Sequence, residues 1–112
     1  MKYMLLIYGD DTAMEQATPE QGQAVADEYD VFTQSIRKSG NFLDGDPFLP
    51  TKTATTVAAS GTTSGPAVSG TPHLQAYYKV EADGPEAAIG MAKRVPGAKY
   101  GSVEVRQIVQ YD

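Results

Sequence analysis

The hydrophobic pattern begins with a short apolar run at Lys2 to Tyr8 (KYMLLIY), which is closed by Gly9-Asp10-Asp11. A run this short between turn residues is typical of a largely buried strand. The pattern therefore predicts a first, central strand. Asp10 and Asp11 are interpreted as a solvated turn, although an acid at the end of a central strand could also face a cleft.

The segment from Thr18 to Gly40 has the pattern of an amphipathic helix. Thr18 is a good N-cap, Pro19 suits the first helical position, and Gln21 can complete a capping box. Apolar residues then recur at spacings of four, three and four, which places them on one helix face: Val25, Tyr29, Phe32 and Ile36. Gly40 supplies the C-terminal stop.

Three strand candidates follow this helix. Asn41 to Leu49 is interrupted by a glycine and by Pro47, which removes a ladder donor, so an edge strand or a bulge is expected. Thr53 to Ala59 and Leu74 to Ala82 also have strand patterns. Between them, Ser60 to Pro72 is rich in Gly, Ser, Thr and Pro, which fits either a hairpin turn or a mobile loop.

The last part of the chain predicts a second helix and a final strand. Asp83 is the expected N-cap, and Val95-Pro96-Gly97 is the expected end of the helix. The strand is expected at Gly101 to Val109. The buried helix face is expected to consist of Ala88, Ile89 and Ala92.

This order of elements, β-α-β-β-(β)-α-β, favours an α+β fold of ferredoxin-like type. In that fold a split βαβ antiparallel sheet carries two helices on one face. A length of 112 residues fits one domain spanning residues 1–112. The core of such a domain is modest, so a homodimer interface would help to bury apolar surface.

Composition narrows the function classes. The net charge of −5 argues against a nucleic-acid partner, and the one basic cluster, Lys93, Arg94 and Lys99, is too small to reverse this. The absence of cysteine excludes thiolate catalysis and cysteine–zinc sites and fits a cytoplasmic location. The apolar N-terminal run is too short for a membrane span or a signal sequence, so no membrane association is expected.

Three segments resemble the YCII-related family, specifically its DGPF-type branch: KYMLLIYGDD, TATTV and AKRVPGAKYGSVEVRQI. The most specific part is Tyr100 to Arg106. The resemblance implies a ferredoxin-like fold and a homodimer whose sheets come together, with an active-site cleft near the interface. It also implies small-molecule chemistry in some relatives, including dehydrochlorination of an aromatic ring. Family members that carry a His and Asp pair have been suggested to be catalytic.

The chain departs from the family at the motif that names the branch. Where the family has Asp-Gly-Pro-Phe, this sequence has Ser64-Gly65-Pro66-Ala67. A carboxylate can act as a base, a nucleophile or a metal ligand, whereas a serine hydroxyl without a partner base cannot easily do so. The change weakens the expectation of inherited catalysis and leaves the expected fold untouched.

His73 and Asp46 are the candidate catalytic residues. His73 is the only histidine, and a histidine titrates near neutral pH, so it is the natural acid or base unless it is simply an exposed strand-end residue. Asp46 lies two residues from Asp44, and two carboxylates on one strand face would repel and raise one pKa. The adjacent Gly45 and Pro47 also fit an ordinary turn. The family usually carries an acid near Asp46.

Four further residues are candidates for ligand binding: Tyr8, Tyr77, Ser64 and Arg106. Tyrosine rings could line a cleft for a small aromatic or apolar ligand, but on strands they mostly pack in the core. Ser64 occupies the position of the motif acid. Arg106 could anchor an anion or could pair with Glu104, two residues away on the same strand face.

Two functions remain open from the sequence. One is a small-molecule enzyme with an acid–base cleft near the dimer interface. The other is a non-catalytic ligand-binding or regulatory dimer that has lost the motif acid. Neither needs a cofactor, and with one histidine and no cysteine no metal site is expected.

Overall fold

Four strands form the main sheet of the computed structural model, which describes residues 1–111. The strands are β1 (Lys2–Gly9), β2 (Phe42–Pro47), β5 (His73–Glu81) and β6 (Ser102–Gln107). They lie in the order β2-β5-β1-β6, and every neighbouring pair is antiparallel. The first apolar run is therefore an interior strand, as predicted, and the strand order is compatible with the ferredoxin-like arrangement.

Two long helices cover one face of this sheet: α2 (Pro19–Lys38) and α3 (Pro85–Arg94). Tyr3, Leu5 and Ile7 of β1 point towards them because alternate residues of a strand share a face. The buried core joins sheet and helices, and consists of Tyr3, Leu5, Ile7, Phe32, Ile36, Tyr78, Val80, Ala82, Ala88, Met91, Ala92 and Val95.

The start of α2 confirms the predicted capping box. The Thr18 hydroxyl accepts a hydrogen bond from the Gln21 N–H at 3.1 Å, and the Gln21 side chain accepts one from the Thr18 N–H at 2.9 Å. The helix ends before Gly40, whose φ of 82° lies in the left-handed region that glycine adopts without strain.

Two details of α3 correct the sequence prediction. The N-cap is Gly84, one residue later than the predicted Asp83, and no side chain caps the helix. Ile89, which was expected in the core, is 44% exposed. Met91, which was not expected there, is 6% exposed and takes its place in the core. The helix begins one residue later than expected, and Ile89 lies towards its outer side.

Two short helices were not predicted. The first is α1 (Asp11–Gln16), where the Asp10 side chain accepts a hydrogen bond from the Thr12 N–H at 2.9 Å. The supposed turn at Asp10-Asp11 is thus an N-cap followed by the first residue of a helix. The second is α4 (Gly97–Tyr100), which follows α3 directly after Pro96.

The segment after β2 leaves the main sheet. A single 3₁₀ turn at Thr51–Thr53 leads into β3 (Thr55–Ala58), which pairs with β4 (Gly61–Ser64) in a separate two-stranded hairpin. The hairpin alternative for the start of Ser60 to Pro72 is therefore confirmed. The strand β2 lies at the sheet edge and has a register shift near its start, as its glycine and proline predicted. Among residues 1–111 there is no helix with the length and apolarity needed to cross a membrane.

Candidate functional site

A cluster of polar side chains lies where β1 ends and β5 begins. It consists of Asp11, Thr51, His73 and Gln75, and is called the Asp11 cluster below. One carboxylate oxygen of Asp11, Oδ2, accepts a hydrogen bond from the Thr51 N–H at 2.8 Å. The other, Oδ1, accepts one from Gln75 Nε2 at 2.9 Å. The side chains of Asp11 and His73 are both only 18% exposed, so this carboxylate is fixed in a largely desolvated position.

The hydrogen bond of His73 determines which of its nitrogens carries the proton. Its Nδ1 accepts the backbone N–H of Asp11 at 3.2 Å. A neutral imidazole has one donor and one acceptor nitrogen, so the proton of the neutral ring resides on Nε2. Within residues 1–111, Nε2 has no hydrogen-bond partner of its own. The ring therefore presents an N–H donor to any molecule that reaches it.

The carboxylate of Asp11 supplies a negative charge next to this ring. Its Oδ2 lies 3.9 Å from His73 Nδ1, too far for a hydrogen bond but close enough for electrostatic attraction. Burial raises the pKa of Asp11, but the hydrogen bonds from Thr51 and Gln75 and the proximity of His73 outweigh burial, so the pKa lies below its ordinary 3.8. Asp11 is accordingly ionised at neutral pH.

Thr51 contributes to the cluster mainly through its backbone. Its hydroxyl oxygen is buried and has no partner of good hydrogen-bond geometry among the described residues. The hydroxyl still lies near enough to the Asp11 carboxylate to help lower its pKa. A buried polar group without a partner is costly, so the cluster has spare hydrogen-bonding capacity.

A β-bulge and a glycine together aim Gln75 at Asp11. Ile7 pairs with Ala76 and Tyr8 pairs with Leu74, so Gln75 is the extra residue of the bulge. The Gln75 amide lies directly over Gly9, where a Cβ would come within 2.5 Å of its Oε1. Glycine at this position leaves room for the amide, and the bulge turns the side chain towards the cluster.

A groove of about 380 Å³ lies near the same end of the sheet, and none of the four residues of the Asp11 cluster lines it. Tyr8 and Glu104 from the sheet form one side of it, and Thr71 and Pro72 from the segment before β5 form the other. Pro72 directly precedes His73 in the chain. The groove therefore offers an aromatic ring, a carboxylate and hydroxyl groups next to the strand that carries the histidine.

The comparisons with known proteins agree with this fold. The model of the YCII-related domain matches residues 1–112. The chain belongs to the YCII-related family. No curated protein matches the sequence at a significant level.

Among solved structures, this YCII-related chain is similar to 5-chloro-2-hydroxyhydroquinone dehydrochlorinase from Burkholderia phenoliruptrix, which was solved in complex with 2,5-dihydroxybenzoquinone. The TM-score is 0.54 and the sequence identity is 14%, over 99% of this chain and 96% of that one. At this identity the likeness establishes a shared fold.

The structure places the two candidate catalytic residues of this YCII-related domain apart. Asp46 pairs with Tyr77, four residues along β5 from His73, which corresponds to about 13 Å of strand. Asp46 makes no side-chain hydrogen bond or ion pair within residues 1–111. Asp11 supplies the carboxylate that lies next to His73. That Asp46 and His73 act together in catalysis stays a prediction.

The four candidate ligand-binding residues also lie in different places. Tyr8 lines the groove. Tyr77 donates a hydrogen bond from its hydroxyl to Asp44 at 3.2 Å and stacks on Phe48 with 5.8 Å between ring centres. Ser64 is exposed at the end of β4 in the separate hairpin. Arg106 donates to Glu104 at 3.1 Å, which is the ion pair foreseen as its alternative.

Sequence reasoning missed the role of Asp11, Thr51 and Gln75. The one available signal was the acidic pair directly after the central strand, which was interpreted as a turn. Within residues 1–111 no three side chains of His, Cys, Asp or Glu approach one another closely enough to hold a metal ion.

Proposed function

We propose that this YCII-related chain is a small-molecule enzyme in which His73 acts on an oxygen atom of the substrate through its Nε2–H. The observation that carries the proposal is the hydrogen bond from the Asp11 N–H to His73 Nδ1. This bond holds the ring in one tautomer and leaves a single donor, which is how a histidine is prepared for a defined role.

The proposed chemistry depends on two groups of Asp11 that lie next to His73, its backbone N–H and its carboxylate. A neutral imidazole that donates from Nε2 stabilises negative charge developing on a substrate oxygen. Nδ1 faces the Asp11 N–H, so it takes no proton from a substrate that lies against Nε2. The Asp11 carboxylate, whose Oδ2 is 3.9 Å from Nδ1, places a negative charge beside the ring. His73 would serve as a hydrogen-bond donor to the substrate oxygen.

The substrate class we propose is a small, flat, oxygen-bearing ring. The groove lined by Pro72, the residue before His73, contains Tyr8 together with polar groups, and its size suits a ligand of this kind. The solved relative binds 2,5-dihydroxybenzoquinone, which belongs to this class. We assign the supporting carboxylate to Asp11 because Asp46 lies about four residues of strand away.

The first test is the binding of 2,5-dihydroxybenzoquinone, measured by isothermal titration calorimetry. His73→Phe keeps the ring size but removes both nitrogens, and we expect it to bind about tenfold more weakly, since one such hydrogen bond is worth about 1.4 kcal/mol. Asp46→Asn is expected to bind as the wild type does. Equal binding by His73→Phe would refute the proposal, and an equal loss in Asp46→Asn would favour the pairing of His73 with Asp46.

A second function is supported by one feature of the same cluster. Both oxygens of Asp11 and Nδ1 of His73 already have partners, so Nε2 and the Thr51 hydroxyl are the groups of the cluster left to meet a ligand. An arrangement in which the carboxylate is already hydrogen-bonded also suits a domain that binds a ligand without transforming it. Absorbance of a bound quinone over time separates the two functions, since only an enzyme changes the spectrum under multiple turnovers.

The assembly belongs to the same proposal. Met4, Leu6 and Tyr8 lie on the face of β1 that points away from the long helices, because the alternate residues of this strand are in the core. We propose that two copies meet through this face and that the groove lies close to the contact. Apolar residues on a sheet face without a second layer of helices favour such a pairing.

Leu6→Glu is expected to convert the proposed dimer into a monomer, because it places a charge in the middle of this face. Light scattering coupled to size-exclusion chromatography gives the mass directly. Ile89→Glu, on the outer side of α3, is the matched control and should leave the mass unchanged. A wild-type mass near 12.0 kDa would contradict the proposed dimer.

A further inference from the structure

The basic cluster noted in the sequence lines a groove in the helix layer of the fold. The groove has a volume of about 490 Å³ and lies between α2 and the segment that joins α3 to α4. Its lining contains the exposed Val31 and the buried residues Phe32, Val95 and Pro96. Lys93, Arg94 and Lys99 supply three cations, and Glu28 supplies one carboxylate. It is separate from the Asp11 cluster, since it is built on the helices and not on the end of β5.

Arg94 is held in a defined position in this groove. Its Nη1 donates to the Ser35 hydroxyl at 3.1 Å, and its guanidinium carbon lies 5.7 Å from the centre of the Phe32 ring. These contacts order the side chain without neutralising it, because serine and phenylalanine carry no charge. A guanidinium has five N–H donors, so most of them remain available to a ligand.

The charges of the groove do not cancel. Lys99 forms an ion pair with Glu28, whose other oxygen accepts the Tyr100 hydroxyl at 3.1 Å. Lys93 and Arg94 have no carboxylate partner within residues 1–111. Two neighbouring cations therefore lack a carboxylate partner in a chain whose net charge is −5. A positively charged patch of this kind attracts anions, although the protein as a whole is negatively charged.

We propose that this groove binds a small organic carboxylate with a flat apolar body. The guanidinium of Arg94 matches the geometry of a carboxylate, and Lys93 adds a second positive charge. The apolar body would lie against the side chain of Val31, which is 72% exposed, since Phe32 and Val95 are buried. The volume falls within the range of about 300–1,000 Å³ that is usual for small-molecule sites.

The test uses 2-naphthoate and its neutral counterpart 2-naphthalenemethanol, titrated into the ¹⁵N-labelled protein and followed by amide chemical shifts. We expect 2-naphthoate to shift the amides of residues 31–35 and 93–99, and 2-naphthalenemethanol to have little effect there. The naphthoate affinity should fall in about 1 M salt, where the Debye length is about 3 Å.

Two variants and a control complete the design. Arg94→Gln should weaken naphthoate binding by about tenfold or more, because a charge-assisted hydrogen bond is lost. Lys93 is exposed and forms no ion pair within residues 1–111, so Lys93→Gln keeps the test valid if Arg94→Gln is unstable. Lys38→Gln, at the end of α2, controls for net charge and should bind as the wild type does. Equal binding of the neutral compound, shifts outside the groove, or equal loss in Lys38→Gln would overturn the proposal.

Discussion

Gly101→Ala is expected to lower the free energy of unfolding by about 3 kcal/mol. Gly101 sits between α4 and β6, where the chain crosses the end of β1. A Cβ at this position would lie 2.1 Å from the carbonyl oxygen of Tyr8 and 3.1 Å from the Cα of Gly9. Both neighbours are backbone atoms of a central strand, so the main chain itself must move. The strand pair Tyr8 and Ser102 is directly adjacent and would be disturbed.

Gly90→Ala is the matched control for this substitution. Gly90 lies in the middle of α3, and a Cβ there would meet no heavy atom within 4 Å. Alanine favours a helix over glycine, so this variant should gain about 0.5–1 kcal/mol. Denaturant unfolding measures the free energy of unfolding of both variants. A Gly101→Ala protein as stable as Gly90→Ala would show that β1 and β6 do not approach each other as described.

Asp11→Asn is expected to cost about 2 kcal/mol at neutral pH and to disturb His73. The carboxylate accepts hydrogen bonds from the Thr51 N–H and Gln75 Nε2. An asparagine amide has only one accepting oxygen, so one of these buried donors would face another donor. Asp83→Asn is the control, since Asp83 is exposed and should change stability by less than about 0.5 kcal/mol.

The Asp11→Asn variant should also change how the stability of the protein depends on pH. The pKa of Asp11 in the folded protein is below its ordinary 3.8, so the unfolded state binds the proton more readily. The stabilisation from Asp11 is therefore complete above pH 3.8 and is lost as the pH falls through the lower folded value. The difference between wild type and Asp11→Asn should shrink in that window. A difference that stays constant down to the lowest pH would contradict the assigned hydrogen bonds.

The fold was largely predictable because its signals are local. The capping box at Thr18 and the apolar stripe that ends at Ile36 define α2 without any tertiary information. The buried run of β1 is equally clear. The sequence misplaced the N-cap of α3 at Asp83, put Ile89 in the core, and read Asp10-Asp11 as a turn where a short helix begins.

The candidate site was only partly predictable because it depends on contacts distant in sequence. His73 stood out as the one histidine, but its neighbour Asp11 is 62 residues away along the chain. The hydrogen bond from Gln75 to Asp11 needs a bulge at Gln75 and a glycine at position 9, and neither produces a periodic pattern in the sequence. Asp46 was chosen because the resembling family usually carries an acid near this position, yet the register of β2 places it beside Tyr77.

The central claim, that the Asp11 N–H holds His73 in the tautomer with the proton on Nε2, can be tested by long-range ¹H–¹⁵N NMR of the imidazole ring. His73 is the only histidine, so the signals need no assignment. For the neutral ring the account predicts the pattern of a single tautomer with the proton on Nε2, and a change at Nε2 when 2,5-dihydroxybenzoquinone is added. A proton on Nδ1, a mixture of tautomers, or an unchanged Nε2 signal in the presence of bound quinone would contradict it.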